Sequence, residues 1–286
     1  MSGSPEIDST VPHPARVYDY WLGGKDNYRA DREAAQEAIK IFPKTVESAR
    51  SCRAFLSRVV GYLTAEAAIR QFLDLGSGLP SAQNVHEVAQ SIAPNSRVVY
   101  VDHDPVVMMH ARALLRSSPE GATGYIQADL RDPEAILGKA AETLDFGQPV
   151  AVLLLAVLHL VTDAQDPAGI IATVMDAAAP GSYLAIGHHT EDLYPELRAF
   201  AARMTELNPD IPATLRSRQQ VRDLFAGLDL VTPGVVQISR WRPQSDAEAN
   251  AAAALWGGVG RKPLPPLPRF SVTVSGPVAG WRRRGS

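Results

Sequence analysis

The stretch Gln71-Phe72-Leu73-Asp74-Leu75-Gly76-Ser77-Gly78-Leu79-Pro80 limits what this chain can fold into more than any other. Its apolar opening predicts a buried strand, its Gly-x-Gly a tight turn, and Ser81 onward the start of a helix. Such a turn can cradle a nucleotide-like ligand. Glycines at 76 and 78 permit backbone angles closed to other residues and remove the Cβ that would keep a ligand off the main chain. The following helix would aim free N–H groups and its positive dipole end at the same point.

Two ligand classes use this device. A dinucleotide fingerprint asks for a third glycine, for close helix–strand packing with a pyrophosphate on the helix end, and that position is Ser81. Asp74, just ahead of the first glycine, would repel a pyrophosphate but could hold an ammonium group. S-adenosylmethionine carries one. A strand-to-helix turn with no ligand fits the Gly-x-Gly alone, so the other strand ends must decide.

The 286 residues suffice for one large α/β domain with appendages, and 45% hydrophobic and 21% charged residues are ordinary globular usage. A net charge of −3 gives no electrostatic footprint for nucleic acid, whose binding is dominated by clustered Lys and Arg. Cys52 stands alone, which excludes an intrachain disulfide framework and a cysteine metal cluster. Residues Met1 to Thr10 lack the basic and apolar regions of a signal peptide, and the apolar run Pro149 to Val161 is too short for a bilayer and holds His159. A cytoplasmic protein without a membrane or nucleic-acid partner is expected; oligomeric state is not legible.

Along the chain, three parts are expected: an N-terminal extension and helical lid over 1–69, a Rossmann-like cofactor-binding domain over 70–262, and a Pro/Arg-rich tail over 263–286. The segment Ala15 to Tyr28, dense in aromatics and holding Gly23-Gly24-Lys25-Asp26-Asn27, reads either as an amphipathic helix docked on the core or as a lid in which Tyr18, Tyr20, Lys25 and Asp26 contribute to a site. Thr45 to Ile69 has helical apolar spacing. Beyond it, strands are predicted at Phe72–Leu75, Val98–Val101, Gly124–Gln127, Val150–Leu155, Ser182–Ile186 and Val235–Ile238, alternating with helices, and Leu255–Gly260 supplies a last strand. The alternation argues for a mostly parallel sheet covered on both faces. In the tail, Ser271–Val274 alternates briefly enough for an edge strand.

In such a sheet ligands bind beyond the carboxyl ends of the strands, where strand order reverses. The first strand ends at Asp74. The second ends at Asp102-His103-Asp104-Pro105, where Asp102 suits the two ribose hydroxyls of a nucleoside and Asp104 suits a helix N-cap before proline. The third runs into Asp129-Leu130, a carboxylate for an adenine amino group and an N–H for a ring nitrogen, or simply a turn cap. The fourth is continuously apolar and ends at Ala156, with His159 just beyond. His188 and His189 follow the fifth strand; adjacent strand residues point to opposite faces, so only one can reach a crevice. Together with Glu191 and Asp192 they lack a reliable metal-ligand spacing, and no metal is expected.

These residues resemble a family. Asp74-Leu75-Gly76-Ser77-Gly78, Asp102 and Asp129 are similar to the successive motifs of class I S-adenosylmethionine-dependent methyltransferases. The segments Ala15 to Asn27, Gly78-Leu79-Pro80, Asn84 to Gln90, Val101 to Pro105 and Gly257 to Pro263 resemble more closely the actinobacterial S-adenosyl methyltransferase family, long classed as a domain of unknown function. The resemblance covers about residues 14 to 263. His103 departs from it, standing where Asn is expected. It implies a Rossmann-like class I methyltransferase fold, a mostly parallel seven-stranded sheet with helices on both faces and an N-terminal helical addition. It further implies S-adenosyl-L-methionine as cofactor, S-adenosyl-L-homocysteine as product, and a cofactor site of Asp74, Gly76, Ser77, Gly78, Asp102, His103, Asp129, Leu130 and Ala156.

The expected activity is methyl transfer to an oxygen or nitrogen of a small molecule, with His159 or His188 as candidate base and His189 also in range. Two other readings stay open: a non-catalytic S-adenosylmethionine sensor, favoured by a crevice with no room beside the methyl group, and an NAD-dependent oxidoreductase, disfavoured by Ser81 and Asp74.

Overall fold

Apolar runs bounded by turn residues place β1 (Gln71–Leu75), β2 (Arg97–Asp102), β3 (Ala122–Gln127), β4 (Ala151–Leu155), β5 (Tyr183–His189), β6 (Asp229–Leu230), β7 (Val236–Gln237) and β8 (Leu255–Arg261) in one sheet of the computed structural model, which describes residues 8–265. The order is β3-β2-β1-β4-β5-β8-β6, with β7 also paired to β8. The first five strands are parallel and β8 is antiparallel to its neighbours. The helices are α1 (Pro14–Trp21), α2 (Arg29–Ile41), α3 (Thr45–Ala65), α4 (Val85–Ile92), α5 (Pro105–Leu114), α6 (Pro133–Ala140), α7 (Pro167–Ala177), α8 (Leu197–Leu207), α9 (Arg218–Asp223) and α10 (Asp246–Asn250).

Side chains alternate across the sheet, and each face has its own core. Phe72, Val98, Tyr100, Leu153 and Ala185 face α3, α4 and α5. Leu73, Val99, Val101, Leu154 and Ile186 face α6, α7 and α9. Fully burying one such Leu, Val or Phe contributes roughly 1.5–3 kcal/mol, so both layers are held firmly and the strand ends between them are fixed. Arg58 of α3 is buried with its Nε on the Trp241 carbonyl (2.9 Å), Nη2 on that of Ile238 (2.7 Å) and Nη1 on Glu248 (3.0 Å). It ties α3 to the chain leading into β8.

Two sequence expectations shift. The helix after the glycine turn begins at Val85 rather than at Ser81, because Asn84 and Glu87 form a capping box and Gln83 takes a left-handed φ of 61°. The strand expected at Val235–Ile238 is cut to the two residues of β7, and a further short strand that was not expected, β6, also pairs with β8, so the sheet has eight strands rather than seven; Thr232-Pro233-Gly234 keeps the two pieces apart, since proline offers no ladder N–H and Gly234 has φ 84°. The strand suggested at Ser271–Val274 lies outside the described residues.

The Gly-Gly-Lys-Asp-Asn segment is a turn joining α1 to α2. The buried Asp19 carboxylate accepts the Asp26 N–H (3.0 Å) and the Asn27 amide (2.8 Å), and its carbonyl accepts the Gly24 N–H (2.9 Å). A Cβ at Gly24 would overlap that carboxylate. Gly24→Ala is therefore expected to lower folding stability by about 1–3 kcal/mol, while Lys25→Ala, at an exposed position, should leave it within ~0.5 kcal/mol. Urea denaturation of both variants checks this; equal stabilities would contradict the role given to Asp19.

Candidate active site

Strand order reverses between β1 and β4, and a cavity of about 250 Å³ opens beyond their carboxyl ends. Its floor is made by the ends of five strands: Asp74 to Gly78, Asp102 and His103, Ala128 to Arg131, Ala156 to Val161, and His189. Its roof comes from Pro12 to Ala15 and Tyr18 at the N-terminus, from Arg53 of α3, and from α8 with the segment after it, through Phe200, Met204 and Ile211.

The cradle is built around Gly76 and Gly78, with φ of 74° and 65°. A Cβ on Gly76 would run into the Val157 side chain, whereas one on Gly78 would meet nothing, so the turn is tight against β4 and open toward the cavity. Gly76 and Ser77 donate to the Val101 carbonyl (2.8 and 3.1 Å), and Gly78 donates to Asp102 Oδ2 (2.9 Å). Asp102 Oδ1 accepts the Asp104 N–H (3.0 Å), and Asp104 in turn caps α5 through Val106 N–H (2.8 Å). Asp102 thus lines the cavity and also fastens the glycine turn to the end of β2. The Ser77 hydroxyl is buried without a partner. Ala156 holds φ 55° and donates to the Gly187 carbonyl (2.8 Å), which turns the chain after β4 along the cavity floor.

Charge is arranged unevenly. Burial pushes the Asp74 carboxyl up to about 7, the Arg53 guanidinium opposes the rise, and the Asp102 charge adds to it. Burial also raises Asp102. Asp129 lines the cavity but is held below the usual carboxylate range by the Arg131 side chain, with its Oδ1 accepting the Arg131 backbone N–H and Nε (both 2.8 Å). A carboxylate has about four acceptor sites, so Asp129 still has room for an adenine amino group. Leu130 lies beside it, and the His103 ring, half exposed, stands at the mouth with its centroid 5.2 Å from that of His13.

At the far end, beyond Ala156, the three histidines separate. His188 is wholly buried and outside the cavity: its Nδ1 contacts the His189 carbonyl at 2.8 Å and its Nε2 accepts from Arg216 at 2.7 Å. Both ring nitrogens are used and burial drops its pKa to about 3, so His188, expected as a candidate base, does not reach the cavity, whereas its neighbour on the opposite face, His189, does. His189 and His159 line the cavity with ring centroids 4.5 Å apart. Burial lowers both, His189 to about 4, so both are neutral imidazoles at neutral pH. Glu191 pairs with Arg198, and Asp192 accepts from Arg218 N–H and Trp256 Nε1, so neither acid joins the histidines.

Of the four expected lid residues, Tyr18 lines the cavity, its hydroxyl donating to the Ala49 carbonyl (2.9 Å). Tyr20, Lys25 and Asp26 do not: Tyr20 packs beside Val17 and Ala34, Lys25 is exposed, and Asp26 faces His110 at 3.3 Å. The docked-helix reading holds for most of this segment. Residues that carry the roof went unnoticed in the sequence. Arg16 and Asp31 form a buried pair (2.9 Å), and Asp31 also accepts the His13 and Tyr28 N–H groups (2.8 Å each), which pins the strap Pro12 to Ala15 across the mouth. Arg216 is nearly buried and binds the carbonyls of Leu158 (3.0 Å) and Val161 (2.9 Å) together with Asp163, fixing the turn that presents His159. No local motif marks these residues; their partners are distant in sequence.

The sequence profile of the S-adenosyl methyltransferase family matches residues 1–263. Among solved structures, a DUF574 family protein from Streptomyces avermitilis MA-4680 is 42% identical, with TM-score 0.87, covering 90% of this chain and 100% of its own. A Thermobifida fusca YX protein proposed to be a methyltransferase is 41% identical, with TM-score 0.84, covering 91% of this chain and 98% of its own. The plantazolicin methyltransferase BpumL, solved with S-adenosylhomocysteine, shares the fold at 11% identity and TM-score 0.51, covering 87% and 95%. A search of curated proteins gave no significant match. Among the described residues no helix is long and apolar enough to cross a membrane. Rossmann-like sheet, glycine cradle and sequence agree: the chain belongs to the S-adenosyl methyltransferase family and is an S-adenosylmethionine-dependent methyltransferase.

Proposed function

We propose that this enzyme methylates an oxygen or nitrogen atom of a small molecule held between Ala156 and the His159–His189 pair. The observation that carries the reading is the continuation of the cofactor cradle, past Ala156, into a roofed chamber bearing two neutral imidazoles. A chamber there gives an acceptor room beside the methyl group, which a pocket serving only to sense cofactor does not need. The roof of α1, α8 and the 208–213 segment favours a compact acceptor over a polymer.

In this reading Asp74 holds the methionyl ammonium, Gly76 to Gly78 let the cofactor lie against the main chain, Asp102 takes the ribose hydroxyls, and Asp129 with Leu130 meets the adenine. Bound S-adenosylmethionine supplies an electrophilic methyl on a positively charged sulfur. The chain's own work is to hold the acceptor in line with the S–CH₃ bond, to exclude water, and to receive a proton where the acceptor loses one. A neutral imidazole can accept that proton, and His159 and His189 are the two that line the chamber.

Two results are expected. Asp102 has two duties, so Asp102→Ala leaves Gly78 and Asp104 N–H groups without their acceptor and should both loosen the turn and weaken binding. Asp102→Asn, which keeps one acceptor oxygen, is the cleaner variant: calorimetry should find S-adenosylhomocysteine bound at least about 10-fold more weakly, the equivalent of ~1.4 kcal/mol, with most of the stability retained. Unchanged affinity would remove Asp102 from the site. The second concerns pH. Binding an ammonium favours the ionised Asp74 carboxylate, whose pKa in the free protein is about 7. Below that pH a proton must leave on binding, so affinity for S-adenosylhomocysteine should fall by up to ~10-fold per pH unit from 7 downward and rise to a plateau above it. Flat affinity between about pH 6 and pH 8, a unit either side, would show that Asp74 does not face the ammonium.

A further inference from the structure

The acceptor end of the cavity has a chemistry distinct from the cofactor end. Its walls are aromatic and aliphatic, with Tyr18, Trp21, Phe200 and Met204 among them, and Tyr18, Trp21 and Phe200 also line a small apolar pocket beside it, bounded by Phe42 and Leu255. The polar atoms of the aromatic walls are already used: the Tyr18 hydroxyl donates to the Ala49 carbonyl (2.9 Å), and Trp21 Nε1 to that of Ala35 (3.2 Å). What remains for a ligand is ring surface. Against it stand His159 and His189: their Nδ1 atoms are shut away from any ligand, which leaves Nε2 as the ring nitrogen each can present to the chamber. A ring nitrogen that faces the chamber without a protein partner can gain a hydrogen bond from a ligand group.

The charge pattern narrows the ligand. The guanidinium nearest the pair, Arg216, sits behind His188 and is occupied by the Leu158 and Val161 carbonyls and by Asp163. Arg53 and Asp74 belong to the cofactor end. Among the described residues, a carboxylate entering the chamber would lose its hydration with no free cation on the imidazole wall to meet it, and an ammonium would find no carboxylate there; Asp210 lies at the exposed rim. A hydroxyl suits two neutral imidazoles in either tautomer, since it can donate to one and accept from the other.

Building on the reading of the crevice as the methyl-transfer site, we propose that the acceptor is a neutral aromatic molecule carrying a phenolic hydroxyl, its ring against Tyr18, Trp21 and Phe200 and its hydroxyl on the His159–His189 pair. In the transfer the hydroxyl oxygen forms a bond to the methyl carbon as the carbon–sulfur bond breaks. That electron pair leaves with sulfur as the neutral thioether, and the hydroxyl proton passes to the imidazole pair and then to water. Burial makes both imidazoles weak bases. A phenol, with an acidity near that of tyrosine at about 10, needs far less of a base than an aliphatic alcohol.

The full chain saturated with S-adenosylhomocysteine can be titrated by calorimetry with 2-naphthol, 2-naphthoate, 2-naphthylmethylamine and decahydro-2-naphthol. The expected result is 2-naphthol bound at least about 10-fold tighter than each of the other three, and a loss of that preference in both His189→Ala and the milder His189→Asn. With S-adenosylmethionine in place of the product, mass spectrometry should find the naphthyl methyl ether. Equal or tighter binding of the carboxylate or the amine, a preference for naphthol that survives in both variants, or no binding of any probe at millimolar concentration would overturn the proposal. S-adenosylhomocysteine affinity in the same samples reports separately on the cofactor site: its absence would overturn the underlying reading instead.

Discussion

The Asp102 carboxylate, spanning the N–H groups of Gly78 and Asp104, is the contact on which the rest of the site depends. It joins the glycine turn after β1 to the start of α5 after β2, so the two adjacent parallel strands end in one rigid ledge. With Val101 accepting from Gly76 and Ser77, that ledge holds both glycines in left-handed backbone and leaves Gly78 open toward the cavity. A charge taken out of water in this way is costly unless it is met by donors. Here two backbone donors meet it, and acceptor capacity remains on the carboxylate for a ligand.

The N-terminal layer depends on a second set of buried polar groups. Arg16 and Asp31 hold the strap over the mouth, and Asp19 ties the turn between α1 and α2. Removing one member of such a set leaves the other buried and unpaired, which explains why a helical addition that could have been a loose lid is fixed on the domain. α3 is part of the sheet's own covering layer, its Phe55, Val59 and Leu63 packing in the same core as Phe72 and Leu153. The aromatic roof of the cavity is thus anchored by buried polar contacts as well as by packing.

Much of this was legible in the sequence, and for a physical reason. Strand ends are marked by the change from apolar run to Gly, Asp or Pro, so Asp74, Gly76, Gly78, Asp102, Asp129 and Ala156 could be laid out along the crevice before any coordinates. The adjacent histidines carried the rule that only one could face inward, yet not which one. That choice depends on Arg216, which takes both His188 and the 158–161 turn from far along the chain. Tyr20, Lys25 and Asp26 looked functional because aromatic and charged residues crowd a glycine turn, but Tyr20 packs toward α2, the Asp26 N–H serves Asp19, and Lys25 points into solvent. Arg53 and Arg16 were missed for a related cause: each is one arginine on a helix, distinguished only by what it meets across the fold. The interrupted edge strand was half visible, since Pro233 and Gly234 mark a break without revealing that both flanks pair with β8.

In the reading proposed above, one cavity holds the cofactor along the strand ends with its reactive sulfur turned toward the imidazole pair. A crystal structure with S-adenosylhomocysteine tests it most directly. The ribose hydroxyls are expected on Asp102, the ammonium beside Asp74, and the sulfur facing the chamber of His159 and His189. A nucleoside bound elsewhere, or bound with its sulfur turned away from those histidines, would contradict it.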